Sequence, residues 1–357
     1  MKFMATSSAK PFHVSLTADF FNADGVLNYL DIGLELLESQ QGIAVGRFKS
    51  HSAEIEPEQL AGVNGVIVLS PRVSARSLSA GQDLLAIVRF GVGFDSVDVA
   101  ACSANDVALI ITAGAVDYSV AEATVGWMLA LNHYIHIKDS LVRTGQWDAR
   151  SRYMGSELRD RTLGVIGFGG IGQTVVELLS SFRMKPPLVF DPFVSRDRVM
   201  AAGAVNASLD ELLSQADFVS LHCPLNENTR NLLGEREISL MKPTAFLLNT
   251  ARGGIVDEDA LYAALSARRI AGAALDCFSN EPIIAPPRWS ALQNVILAPH
   301  SIAWTNELFR DIGRCACQAM VDLSQRRCPS GLINKELLAR KSFQDKWHRL
   351  TNSSFEL

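Results

Sequence analysis

Arg252, Asp276, Glu281 and His300 stand in polar segments that each follow a short apolar run. The segments read Leu248-Asn-Thr250-Ala251-Arg252-Gly-Gly-Ile-Val-Asp257, Ala274-Leu-Asp276-Cys-Phe-Ser-Asn-Glu281-Pro282 and Ile296-Leu-Ala-Pro299-His300. Such apolar runs suit parallel strands covered on both faces, and open α/β sheets bind ligands outside the carboxyl ends of their strands. These side chains are therefore expected to converge on one cleft. A histidine titrating near neutral pH can take or give a hydroxyl proton. A glutamate beside it would hold the ring and favour its protonated form. A guanidinium can fork onto a carboxylate and polarise a carbonyl. The set suits oxidation of a 2-hydroxy acid and the reverse reduction of a 2-oxo acid. Singly, an Arg or Glu more often sits in a surface ion pair and a His in a core; joint occurrence at strand ends is what points to a site.

A second constellation lies mid-chain. The run Thr162-Leu-Gly-Val-Ile leads into Gly167-Phe168-Gly169-Gly170-Ile171-Gly172, and a helix is expected from Gln173 to Ser181. The first glycine makes a tight turn, the second lets backbone approach a pyrophosphate, and the third lets helix and strand pack closely. The helix start offers N–H groups and the positive end of its dipole to phosphates. The next strand, Leu188-Val-Phe, ends in Asp191. A carboxylate there binds ribose hydroxyls and repels a 2′-phosphate, so NAD is the expected cofactor, with Arg196 and Arg198 near enough to soften the preference.

The elements that must position these groups alternate along the chain. Short apolar runs at Gly65–Leu69, Leu84–Val88, Ala108–Thr112, Thr162–Ile166, Leu188–Phe190, Phe218–Leu221, Ala245–Leu248, Ala271–Leu275 and Val295–Leu297 read as strands separated by helical segments. That order predicts a doubly wound α/β fold. The glycine motif would normally follow a domain's first strand, so a block of α/β structure is expected before the cofactor domain. Helically spaced apolar residues from about Ser119 to Arg143 predict one long linker helix. The polar stretch from Ala339 to Leu357, including Lys341, Gln344, Lys346 and Asn352, reads as a loosely held tail or an interface extension.

Bulk properties exclude some functions. The 357 residues carry a net charge of −5 without long runs of one sign, which argues against a nucleic-acid partner. The start, MKFMATSSAKPF, lacks the apolar stretch of a signal peptide, and no run is long enough to span a membrane, so a cytoplasmic protein is expected. Cys102, Cys223, Cys277, Cys315, Cys317 and Cys328 form no CxxC pair or zinc ladder, and no metal is expected.

From about Val88 to His300, and again at Leu332-Ile-Asn-Lys-Glu-Leu-Leu338, the chain resembles the D-2-hydroxyacid dehydrogenases, the family that includes D-3-phosphoglycerate dehydrogenase, glycerate dehydrogenase and glyoxylate/hydroxypyruvate reductase. The resemblance implies that Arg252 orients substrate, that His300 is the acid/base and that Glu281 pairs with it. It implies that Asp276, Thr250, Ala251, Arg252 and His300 lie near the nicotinamide. His222-Cys223-Pro224-Leu-Asn-Glu-Asn-Thr229 resembles the family's HxPLTxxT loop beside the adenosine ribose. In Val88-Arg89-Phe-Gly91-Val92-Gly93 the loop N–H groups would hold the substrate carboxylate, a nest of donors, and Arg89 would face a polar or anionic substrate end. The alternative for Arg89 is an interdomain ion pair.

The resemblance also implies two doubly wound parallel-sheet domains. A Rossmann-type cofactor domain, 114–301, would be inserted into a flavodoxin-like substrate domain, 1–113 and 302–357, with the substrate in a cleft between them. It implies a homodimer, and no regulatory domain of the kind carried by some phosphoglycerate dehydrogenases is expected. Two departures bear on the substrate. Val116-Asp117-Tyr118 replaces the usual Asn-Thr stretch of TPGANTxSVAE, and Trp304 replaces a small residue of HIAGxT. The competing function is a non-catalytic NAD(H) sensor, like the family's corepressors.

Overall fold

A computed structural model describes residues 10–351. Most of the N-terminal stretch read above for a signal peptide, and Asn352 of the tail, lie outside the described residues. The chain divides into two compact units, Met1–Val116 with Thr305–Leu357, and Asp117–Trp304. Both boundaries fall where a helix begins.

The first unit is a parallel sheet of five strands, β1 (Phe12–Leu16), β2 (Ile43–Arg47), β3 (Gly65–Val68), β4 (Ala86–Arg89) and β5 (Ala108–Ile111), in the order β2-β1-β3-β4-β5. This is the flavodoxin-like order. Short helices α1 (Glu35–Glu38) and α2 (Val99–Ala104) belong to its crossovers, and the Asp98 carboxylate caps α2 by accepting from Ala101 N–H at 2.8 Å. Strands β1 and β2 are additional to the expected list. β2 is half-buried along almost its whole length at the sheet edge, so it lacks the continuous apolar run of a central strand.

The second unit opens with α3 (Asp117–Asn132) and α4 (Ile135–Arg143), not with one continuous linker helix. The Asn132 carbonyl accepts from Ser156 N–H at 3.1 Å, Asn132 Nδ2 donates to the Ser156 carbonyl, and Tyr134 turns to a φ of +52°. A carbonyl taken by another segment cannot continue the helical ladder, so the helix ends there. The sheet that follows has seven strands, β6 (Leu163–Ile166), β7 (Leu188–Phe190), β8 (Val205–Asn206), β9 (Phe218–Leu221), β10 (Phe246–Asn249), β11 (Gly272–Leu275) and β12 (Val295–Leu297), in the order β12-β11-β10-β9-β6-β7-β8. This is the Rossmann order extended by one strand, and its switch point lies between β6 and β9. The exposed two-residue edge strand β8 left no apolar signal to read.

The helices between these strands are α5 (Gly170–Leu178), α6 (Arg196–Ala201), α7 (Leu209–Gln215), α8 (Glu235–Leu240) and α9 (Glu258–Ser266). α5 begins at Gly170, earlier than the expected Gln173, so the second half of the glycine motif, residues 170–172, opens the first helical turn; a 3-10 turn at Leu179–Phe182 follows. Asp257 caps α9, accepting from Asp259 and Ala260 N–H groups. Central strands β6, β9, β10 and β11 are buried throughout, and Leu247, Leu248, Ala273 and Ala274 are fully enclosed between helices.

The chain returns to the first unit with α10 (Asn306–Ser324). The segment around Leu332 pairs antiparallel with β5, and the buried Asn334 side chain accepts from Leu109 N–H at 2.9 Å and donates to the Val107 carbonyl at 2.9 Å, sealing that sheet edge. The expected loose tail is instead helix α11 (Lys341–Thr351). Phe343 is buried, Trp347 Nε1 donates to the Leu323 carbonyl at 2.7 Å, and Arg349 pairs with Asp83 at 2.7 Å. Lys346 reaches the carbonyls of Asn105 and Asp106, and burial pulls its pKa down to about 8. Polar composition misled because these polar groups bond to carbonyls, carboxylates and backbone of the unit's own surface. Among the described residues no helix is long and apolar enough to cross a membrane.

Candidate active site

In the second unit the loops after β10, β11 and β12 bring Arg252, Asp276, Glu281 and His300 together. His300 Nδ1 lies 2.7 Å from Glu281 Oε2, and Phe278 N–H donates to Glu281 Oε1 at 2.8 Å. Burial raises the Glu281 pKa, but the His300 and Phe278 hydrogen bonds and the charges of His300 and Arg252 outweigh it and leave the carboxyl below its ordinary value. With Nδ1 turned to Glu281, Nε2 is the nitrogen left for a substrate. His300 holds a φ of +53°, unusual for a non-glycine residue, and its N–H donates to the Asp276 carbonyl at 2.8 Å.

Asp276 is buried, and its carboxylate accepts from Ser301 N–H at 2.9 Å and Ile302 N–H at 3.2 Å. Burial raises its pKa, against the pull of those donors. The side chain assigned to the nicotinamide thus also fixes the loop that carries His300. Asn249, at the end of β10, was not singled out from sequence. Its Nδ2 donates to the Arg252 carbonyl at 2.9 Å and its Oδ1 accepts from Ala251 N–H at 3.1 Å, setting the turn that presents Arg252. Arg252 Nη1 in turn donates to the Ala251 carbonyl at 2.7 Å. Gly253 lets this turn press on the Phe278 backbone, since a Cβ there would lie 2.0 Å from the Phe278 carbonyl carbon. The only signal for Asn249 was its place at a strand end.

The glycine motif sits at the switch point of the same sheet. Gly167 has a φ of +91°, and a Cβ on it would meet Cys223 N at 2.6 Å. A Cβ on Gly169 would meet nothing within 4 Å, which leaves room for phosphate oxygens, whereas Gly172 packs on the Gly167 carbonyl. Gly169 caps α5 without a side-chain hydrogen bond, so the first turn's N–H groups still face outward for an anion. Asp191 Oδ2 accepts from Phe168 N–H at 2.7 Å and Oδ1 from Phe193 N–H at 2.8 Å, which aims the carboxylate at the motif's turn. These features fit a dinucleotide.

His222 Nε2 bonds to Ser220 Oγ at 2.8 Å, and burial lowers its pKa to about 4, so the ring is neutral beside the cofactor loop. Thr229 is committed to that loop: its hydroxyl donates to the Pro224 carbonyl at 2.6 Å and accepts from Asn226 N–H at 2.8 Å. Thr250 Oγ1 lies 3.3 Å from Thr124 Oγ1 of α3. Of the sequence departures, Asp117 sets its carboxylate against Gly170, where a Cβ would lie 1.8 Å from Oδ2, and Trp304 is 56% exposed.

The first unit holds the remaining assigned residues at the end of β4. Gly91 N–H donates to Thr112 Oγ1 at 3.0 Å, and Arg89 donates to the carbonyls of Val68 and Phe90. Among the described residues, the N–H groups of Val92 and Gly93 donate to no protein acceptor. They form a pair of neighbouring donors of the kind a carboxylate takes.

A Rossmann-type sheet with a dinucleotide turn and a hydrogen-bonded His–Glu pair at its strand ends is the arrangement of a nicotinamide-dependent oxidoreductase. The description "D-isomer specific 2-hydroxyacid dehydrogenase, NAD binding domain" matches residues 125–301. A glyoxylate reductase of Thermofilum pendens is 36% identical over 275 residues, covering 76% of this chain and 81% of that protein. A D-3-phosphoglycerate dehydrogenase of Synechocystis sp. is 35% identical over 279 residues, covering 77% of this chain and 49% of that protein. The structure of a D-lactate dehydrogenase from Aquifex aeolicus complexed with NAD and lactic acid aligns with a TM-score of 0.76 at 27% identity, over 90% of this chain and 98% of the other. The chain belongs to the D-isomer specific 2-hydroxyacid dehydrogenase family, and it is an NAD-dependent oxidoreductase acting between 2-hydroxy and 2-oxo acids.

Proposed function

We propose that this enzyme reduces a small 2-oxo acid to the D-2-hydroxy acid, and catalyses the reverse, with His300 as acid/base, Glu281 as its partner and Arg252 orienting the substrate. The observation that carries the proposal is the 2.7 Å His300–Glu281 contact beside the Arg252 turn. Bound NAD would supply the hydride acceptor or donor for C2. His300 Nε2 takes the hydroxyl proton in oxidation and returns it in reduction, while the Glu281 carboxylate balances the imidazolium. Arg252 stabilises charge on the carbonyl oxygen. Residues 167–172, Asp191, His222–Pro224, Thr229, Thr250, Ala251 and Asp276 are assigned to the cofactor. Val92 and Gly93 are assigned to the substrate carboxylate and Arg89 to a polar or anionic far end. Phosphoglycerate is such a substrate for one relative and glyoxylate is not for the other. None of the six cysteines forms a disulfide, which fits the reducing cytoplasm, and the family resemblance favours a homodimer. The net charge of −5 speaks against nucleic acid.

The test is a panel of glyoxylate, hydroxypyruvate, phosphohydroxypyruvate and bulkier 2-oxo acids, followed by NADH absorbance. Consumption of NADH with at least one acid is the expected result. No turnover with any acid, together with NADH binding, would replace the enzyme with a dinucleotide sensor. In the same assay Asp191→Ala should narrow the NADH-over-NADPH preference by about 10-fold; an unchanged ratio removes Asp191 from cofactor choice.

A further inference from the structure

Cys277 follows Asp276 on the segment leaving β11, beneath the acid–base pair. It is 3% exposed, and its thiol donates to the Ala251 carbonyl at 3.4 Å, the same carbonyl that accepts from Arg252. Cys277 Sγ, a carboxylate oxygen of Glu281 and a ring nitrogen of His300 all lie within 4.8 Å of one another. No other cluster of at least three His, Cys, Asp or Glu side chains with this spacing occurs among the described residues. Zinc bonds of about 2.3 Å to sulfur and 2.1 Å to nitrogen or oxygen put tetrahedral ligand atoms about 3.5 Å apart. Capture of an ion therefore asks the widest pair to close by about 1 Å and the His300–Glu281 pair to part by about as much. Both of those side chains reach solvent, at 43% for His300 and 33% for Glu281, so an ion can enter from their side and the carboxylate can turn. Thiolate, imidazole and carboxylate together select a zinc-like ion over magnesium.

We propose that Cys277, Glu281 and His300 form an inhibitory site for a soft divalent cation of the zinc class. The cation takes the place of the proton between His300 Nδ1 and Glu281. Binding releases the Cys277 thiol proton and shifts the Nδ1 proton through solvent to Nε2, with no change of oxidation state, and water fills the fourth position. A neutral imidazole held through Nδ1 carries its remaining proton on Nε2. It then has no lone pair for the substrate hydroxyl in oxidation, and in reduction giving up the Nε2 proton would leave an imidazolate, a far weaker acid than imidazolium, so both directions stop. Inhibition rests on His300 being the acid/base; binding does not.

The probe is cadmium added to the chelator-treated full chain, read by thiolate-to-cadmium absorption in the ultraviolet. Zinc inhibition of NADH turnover is measured in parallel. The expected result is a cadmium band that is lost in Cys277→Ser and Cys277→Ala. Zinc inhibition should be reversed by EDTA and weakened by about 10- to 100-fold in both variants, with basal turnover and indifference to magnesium retained. A band unchanged in both variants would overturn the site. A band lost without any change in zinc sensitivity would overturn its inhibitory role. If wild type turns over no 2-oxo acid, the proposed function fails, while the cadmium band still decides the site.

Discussion

The strand ends of the two sheets are organised on opposite plans. In the second unit side chains hold the loops: Asp276 takes the backbone of Ser301 and Ile302, Asn249 takes that of Ala251 and Arg252, and Glu281 holds His300. In the first unit a buried Thr112 hydroxyl anchors Gly91, Arg89 is lodged on nearby carbonyls, and Val92 and Gly93 present only backbone N–H groups. The first plan sets geometry for charged groups, because each reacting side chain is tied to a buried or charged neighbour. The second offers general anion binding through donors that any residue type supplies. Under the proposed function, proton transfer is thus specified by particular side chains, and recognition of the acid by loop conformation.

The comparison is exposed first by His300→Ala, which should lower kcat/KM by about 100- to 10,000-fold, the range for loss of a general acid–base, with NADH affinity measured by fluorescence nearly unchanged. A loss below about 10-fold would mean that the second unit does not hold the reaction centre. Asp276→Ala tests whether a side chain sets the loop. It should cost about 2 kcal/mol in urea unfolding, since the Ser301 and Ile302 donors lose a charged acceptor, and it should lower kcat more than KM for the 2-oxo acid. Full stability with normal kcat would break the positioning argument.

Glu281→Gln should shift the pH profile by about one unit. In oxidation activity falls as the base becomes protonated at low pH, and in reduction it falls as the acid is lost at high pH. Removing the carboxylate charge moves either limb to lower pH, and a profile superimposable on wild type would remove Glu281 from the pair. The same carboxyl, held below its ordinary value, adds stability that is fully present above the ordinary carboxylate range. That contribution is lost as pH falls through the lowered value, so wild type should approach the Gln variant in acid. The smallest effect belongs to the backbone plan. Arg89→Ala should raise KM by about 5- to 10-fold for phosphorylated or otherwise anionic 2-oxo acids and little for glyoxylate. Equal changes across the panel would leave Arg89 as a brace for its own loop.

Much of the site was legible because strand ends combine two strong signals, an apolar run and a polar residue of useful chemistry. Arg252, Glu281 and His300 were readable that way, and the glycine motif was readable because only glycine tolerates the φ of Gly167 and its contact with Cys223. Asn249 and Cys277 were not, since an amide or a thiol beside a strand has no chemistry until its neighbours are known. The break at Asn132 was hidden because its cause, Ser156, lies in a distant loop. The docked helix at Lys341–Thr351 was hidden because its polar residues find partners in the turn after α2, on the loop before β4 and near the end of α10.

The sequence by itself determined the class of fold, the cofactor turn and which titratable groups gather as acid–base candidates, because periodicity, glycine positions and titratable side chains are local properties. Tertiary structure alone decided which nitrogen of His300 faces Glu281, that Asp276 holds the histidine loop, and that a thiol lies within reach of both. Those facts depend on distances between separate strand ends, which no local pattern encodes.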